Sequence, residues 1–153
     1  MADQICHVNS GEVALVAATP KTVLQIKAAT NQRVAIKGIK LMGKQAAGGT
    51  DVPVKIRLTR STANFGAFTA TPTPQKNNPS NGETVQTSAG TNATSEPTSP
   101  TDAGIWWEVQ PQSGVIEFIP PGLEIKIPGG QAVNFECTSP GTPTVMLTVT
   151  FEE

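Results

Sequence analysis

The feature that most restricts the fold of this chain is a side-chain periodicity of two, repeated in short runs along most of its length. Leu24 and Ile26 share one face of Val23-Leu24-Gln25-Ile26-Lys27, and Val54, Ile56 and Leu58 alternate with Lys55, Arg57 and Thr59. Ile105, Trp107 and Val109 alternate with Trp106 and Glu108. Val133, Phe135 and Cys137 alternate with Asn134 and Glu136, and Val145, Leu147, Val149 and Phe151 alternate with Met146, Thr148, Thr150 and Glu152. Successive residues of a strand point to opposite faces, so each run reads as a half-buried strand. Leu123, Ile125 and Ile127 oppose Glu124 and Lys126, and Ile116 and Phe118 are assigned to the apolar face opposite Glu117. In Val34-Ala35-Ile36-Lys37-Gly38-Ile39-Lys40-Leu41 the apolar phase shifts at Gly38, which predicts a bulge there.

The connectors carry turn chemistry: Gly48-Gly49, Pro120-Pro121-Gly122, Pro128-Gly129-Gly130 and Ser139-Pro140-Gly141-Thr142-Pro143. Glycine supplies the left-handed backbone and proline fixes φ where a chain reverses. Eight or more short strands joined this way predict one all-β domain over residues 1–153, a jelly-roll-like antiparallel β-sandwich. One stretch breaks the rhythm. Residues 69–103 are mostly Thr, Pro, Ser, Asn and Gly, with Val85 as the lone large aliphatic residue. That exceeds the ~12–15 residues of an ordinary loop. It is expected to be a long polar Pro/Thr/Ser-rich loop: an extended arm that contacts a neighbouring subunit or partner, or a surface loop without order of its own.

Charge narrows the function. Lys and Arg number 11, Asp and Glu 12, and charged residues make up 15% of the chain. That is well under the ~25% of an average soluble domain, and a lone protein relies on charge for solubility. Nucleic-acid affinity comes from clustered cations, so a near-neutral chain is not expected to bind nucleic acid. No apolar run approaches the ~20 residues of a membrane span, and no basic segment followed by an apolar run suggests a signal peptide. Production in a cytoplasm is expected, and Asn92-Ala93-Thr94 is taken as a chance glycosylation sequon.

Catalytic constellations are not evident. His7 is the one histidine, and a His-centred triad or a metal site needs more partners than it has. Asp51, Asp102, Glu108 and Glu117 are the carboxylates considered for acid/base work, and each sits at a turn or on the polar phase of a strand. No phosphate-binding or metallohydrolase motif is present. Cys6 and Cys137 read as buried reduced thiols, with a staple between terminal strands as the alternative. No cofactor or metal is expected, nor an enzyme.

Trp106-Trp107 is the most informative pair. The phase of Ile105 and Val109 puts Trp107 in the core and projects Trp106 outward. An outward indole serves a subunit interface, a sugar-stacking platform, or a bed for the long polar segment. The cations Lys37, Lys40, Lys44, Lys55, Arg57 and Arg60 fall in the first half of the chain. A single basic face, or protection of strand edges, is the expectation drawn from that asymmetry.

Several strings resemble small structural proteins of tailed phages. They are Pro53-Val54-Lys55-Ile56-Arg57-Leu58-Thr59-Arg60, Thr94-Ser95-Glu96-Pro97-Thr98, Trp107-Glu108-Val109-Gln110-Pro111-Gln112-Ser113-Gly114, Pro128-Gly129-Gly130 and Thr148-Val149-Thr150-Phe151-Glu152-Glu153. The resemblance is to head decoration, or cement, proteins. It implies a β-sandwich or jelly roll, a homotrimer on the outside of a capsid, and the major capsid protein as partner. No catalytic residue carries over, and the long polar segment is a departure from the family. Trp106, Val85, Glu96 and Pro97 are the candidate interface residues. A carbohydrate- or receptor-binding module of a phage tail or spike is the alternative, and a cupin-like enzyme lacks the histidines it needs.

Overall fold

The computed structural model describes residues 4–46, 48, 49, 51–80 and 82–153. Its strands are β1 (Ile5–Asn9), β2 (Val13–Ala14), β3 (Lys21–Lys27), β4 (Val34–Lys44), β5 (Val54–Ser61), β6 (Ala67–Ala70), β7 (Gln75–Lys76), β8 (Ser88–Ser95), β9 (Thr101–Val109), β10 (Val115–Phe118), β11 (Ile125–Ile127), β12 (Ala132–Thr138) and β13 (Thr144–Glu152). They form two antiparallel sheets. The first runs β10-β4-β13-β1-β7, with β11 also on β4 and β2 on β13. The second runs β6-β8-β3-β12-β5-β9. No helix occurs among the described residues.

The inner faces close on one core. Val34, Ile36, Ile39 and Leu41 of β4 and Val145, Leu147, Val149 and Phe151 of β13 belong to the same buried cluster as Leu24, Ile26, Ile56, Leu58 and Phe135 of the second sheet. The period-two reading therefore holds for β3, β4, β5, β12 and β13. The bulge expected at Gly38 is present. Thr150 pairs with Gly38 and Phe151 with Ile36, so Lys37 is the extra residue, and Ile36 and Ile39 both stay buried on either side of it.

The long polar segment is where the structure corrects the sequence reading. Residues 69–103 are not one loop: they contain the end of β6, β7, all of β8 and the start of β9. Strand β8 is Ser-Ala-Gly-Thr-Asn-Ala-Thr-Ser and pairs with β3, placing Thr91 beside Leu24 and Ala89 beside Ile26. Ala89, Thr91 and Ala93 are buried although none is a large apolar residue. On the opposite face of the strand, a Cβ added to Gly90 would lie 2.4 Å from the Phe68 ring of β6, so glycine leaves room for that ring. Parts of the segment outside these strands are tied down as well. The Glu153 carboxylate accepts from the Gln86 and Thr87 amides at 3.0 and 2.9 Å, and Lys76 donates to the Glu83 carbonyl at 2.8 Å. Residue 81 lies outside the described residues.

Asn134 is fully buried, although it lies on the outer phase of β12 with Gln25 and Thr59 as cross-strand neighbours. Its amide donates to Thr59 Oγ1 and Ser61 Oγ at 3.0 and 2.9 Å, and its carbonyl accepts from Gln25 Nε2 at 2.7 Å. Gln25 also donates to the Phe65 carbonyl at 2.8 Å, so the turn after β5 lies over this network. Every polar atom of the Asn134 side chain is thereby used, which is what makes its burial tolerable.

Cys6 lies on β1 of the first sheet and Cys137 on β12 of the second; both are buried free thiols, and the staple between them is not formed. Burial pushes the Cys137 thiol up to about 12. His7 sits in β1 between Thr150 and Gln75, with its Nδ1 2.9 Å from Asn77 Oδ1.

Candidate interaction surface

The site is built from β10, whose phase the sequence reading had inverted. Val115 pairs with Leu41 and Glu117 with Ile39, so these two face the core side of β4. Ile116 pairs with Lys40 and Phe118 with Gly38, so these two face outward. Ile116 is 61% exposed and Phe118 81%. The run Val115-Ile116-Glu117-Phe118-Ile119 is apolar in both phases, which makes a one-residue slip easy to misjudge. What decides it is the hydrogen bond between the Trp107 indole N–H and the Glu117 carboxylate. Val115, Ile119, Ile105 and Trp107 pack against the core beside it. A signal in the sequence was there to be used. A core indole needs an acceptor, and the next strand offers one carboxylate in the phase that also carries Val115 and Ile119.

Local geometry fixes where the outward residues leave the sheet. A Cβ at Gly38 would meet the Phe118 ring at 3.5 Å, so that ring rests on the bare backbone of the bulge. Beyond Phe118, the chain leaves β4 and returns as β11, with Ile125 pairing Ile36. The excursion between them contains a tight turn, Pro120-Pro121-Gly122-Leu123, closed by Leu123 N donating to Pro120 O at 3.1 Å, with Gly122 at φ 89°. Glycine is suited to that third position because a side chain there is strained. Leu123 is expected from the alternation to be inward but is 73% exposed, because the turn lifts it off the sheet. The Glu124 carboxylate then accepts from Gly122 N at 2.9 Å and from Lys37 Nζ at 2.9 Å, while Lys37 lies 2.6 Å from Glu152. Lys37 holds the Glu124 carboxyl down at about 2, and the two carboxylates, Glu152 first, raise the Lys37 ammonium.

The four candidate interface residues are not brought together as one patch. Trp106 is 43% exposed on the outer face of β9, as its phase required, and its ring is covered by Lys55 Nζ at 4.0 Å and Arg57 Cζ at 5.4 Å. Val85 packs against the core and Pro97 is buried. Glu96 is exposed, but its carboxylate accepts from Thr22 N at 3.0 Å and so holds the start of β3. The basic set divides as well: Lys37, Lys40 and Lys44 lie on β4 of the first sheet, and Lys55, Arg57 and Arg60 on β5 of the second. A single basic face is therefore not made.

The carboxylates considered for acid/base work do not converge. Asp51 accepts from Gln45, Asp102 from Gly104 N, and Glu117 from Trp107, while Glu108 is exposed on β9. No group of three or more potential metal ligands occurs among the described residues. No protein-family model matches this chain, and neither a curated protein nor a solved structure does.

Proposed function

We propose that this chain is a structural virion protein, a decoration or cement subunit that binds the outside of a phage head and braces its coat proteins. The observation that carries this reading is the edge of the sandwich that presents Ile116, Phe118 and Leu123 to solvent. Apolar side chains of this size, held in place by a bulge, a closed turn and an ion-paired carboxylate, belong to a surface that works while covered. The low charge of the chain fits the same reading. Within it, the sandwich is of the jelly-roll kind, the subunit is a homotrimer, and the partner is the major capsid protein. Trimerisation multiplies each weak contact, so avidity replaces single-site affinity.

Co-sedimentation with purified undecorated heads of the phage that carries this chain tests the reading. The protein is expected to pellet with heads at a fixed stoichiometry and to raise their thermal stability. Light scattering on the free protein is expected to give three chains per particle. A protein that stays in the supernatant at micromolar concentration and leaves the heads unchanged removes the proposal.

A further inference from the structure

The outer face formed by β10, β4 and β13 has a charge at its centre that no carboxylate among the described residues pairs with. Lys40 is exposed, and its cross-strand neighbours are Ile116 on one side and Thr148 on the other. It lines a hollow of about 300 Å³ with Ile116, Glu117, Phe118, Thr148 and Thr150, where the Glu117 carboxylate is taken by the Trp107 indole, and a second of about 220 Å³ with Met42 and Ile116. The other lysines of the strand are neutralised within the molecule: Lys37 by Glu124 and Glu152, and Lys44 by Glu12 at 2.9 Å. Among the described residues Lys40 has no carboxylate within ion-pair distance.

We propose that this face docks a protein surface presenting a carboxylate, ringed by apolar side chains, over Lys40. The proposal rests on the decoration reading, and the partner it names is then the coat protein.

Area and charge both favour this occupant. Phe118, Ile116 and Met42 are 81%, 61% and 45% exposed. With full side-chain areas of about 200 Å² each, they offer about 370 Å² of apolar surface, close to half of the ~800 Å² one partner brings to a standard interface. A second copy of this chain, paired face to face, fits poorly. The acids bordering the face, Glu124, Glu152 and Glu12, already hold Lys37 and Lys44. Face-to-face pairing would bury Lys40 without a partner, which is strongly unfavourable. A foreign carboxylate turns the same ammonium into a specific contact and steers approach.

The test uses the full chain, undecorated heads and a zero-length carbodiimide cross-linker, which joins an amine to a carboxylate. The wild type is expected to bind heads and to cross-link through Lys40 to an Asp or Glu of the coat protein. K40R keeps the charge, so it is expected to bind normally and lose the cross-link. K40E and F118S are each expected to weaken binding at least tenfold, with W106A unchanged. Added salt is expected to weaken the wild type more than K40M. Circular dichroism checks that the variants fold, as substitutions at exposed positions should. If the wild type binds and both K40E and F118S bind equally well, the docking proposal fails while the decoration reading stands. If F118S turns trimers into monomers, the face belongs to self-association and the proposal is overturned. If the wild type does not bind heads, the decoration reading fails and takes the proposal with it.

Discussion

Glu117 of β10 accepts the indole N–H of Trp107 of β9, and this bond joins the edges of the two sheets. It also sets the phase of β10. With Glu117 turned toward the core, Ile116 and Phe118 have no choice but to face solvent.

That phase can be tested by paired substitutions. Phe118→Ala should change stability by no more than about 0.5 kcal/mol, as exposed positions do. Glu117→Ala should cost about 1–3 kcal/mol, because it leaves a half-buried indole N–H without its acceptor. Trp107→Ala should cost about 3 kcal/mol and Trp106→Ala clearly less. Urea midpoints at constant m-value read all four. A larger loss for Phe118→Ala than for Glu117→Ala would show the strand turned the other way.

Asn134 should be among the least replaceable residues on the outer side of its sheet. Asn134→Ala leaves Gln25, Thr59 and Ser61 with unmet hydrogen bonds in a buried site, and about 2–4 kcal/mol should be lost. Asn134→Leu should be no better, since the three partners remain. Denaturant unfolding measures both, and amide exchange should show opening concentrated along β5 and β12.

Gly90→Ala isolates a purely steric effect. The new methyl would fall 2.4 Å from the Phe68 ring, so the ring must move and about 1–3 kcal/mol should be lost. Adding Phe68→Leu should recover part of that loss, giving a coupling term in a double-mutant cycle. Additive losses in thermal melts would mean that Phe68 does not lie over Gly90.

The Lys37, Glu124 and Glu152 cluster gives a pH window. Glu124 is depressed from an ordinary 4.5 to about 2, so its stabilising effect is present above 4.5 and disappears as pH falls through 2. Lys37 is raised above 10.5, so its effect persists at neutral pH and is lost only as pH climbs past that raised value. The melting-temperature difference between wild type and Glu124→Gln should therefore be flat from about pH 5 to pH 10 and vanish near pH 2. Glu136 works in the opposite sense. Burial raises its carboxyl, so its contribution to stability is fully present below its ordinary 4.5 and is lost as pH rises through the raised value.

Strand content was legible wherever a strand has one wet face and large apolar residues on the other. β13 read correctly residue by residue, β5 read correctly in its apolar phase although Thr59 is buried beneath the Asn134 network, and the phase shift at Gly38 announced its bulge. β8 was invisible for a physical reason. Its inward residues are Ala and Thr, and its stability comes from backbone pairing with β3 and from a phenylalanine on another strand. Local hydrophobicity carries no trace of either. Of the interface candidates, Trp106 was placed on the correct face, but its ring is already engaged by Lys55 and Arg57. Val85 and Pro97 proved to be packing residues, and the patch at Ile116 and Phe118 was assigned to the core.

The amino-acid order alone was enough to establish an all-β sandwich, because period-two runs without an amphipathic helix leave another sheet to cover their apolar side. Which side of β10 is buried was open, because that strand is apolar on both faces. A bond across the two sheets, between residues ten apart in the chain, closed the question. Likewise, nothing in the order of the β4 lysines distinguishes Lys40 from Lys37 and Lys44. That distinction comes from which carboxylates the folded sheets bring within reach of Lys37 and Lys44, and from the apolar neighbours they leave around Lys40.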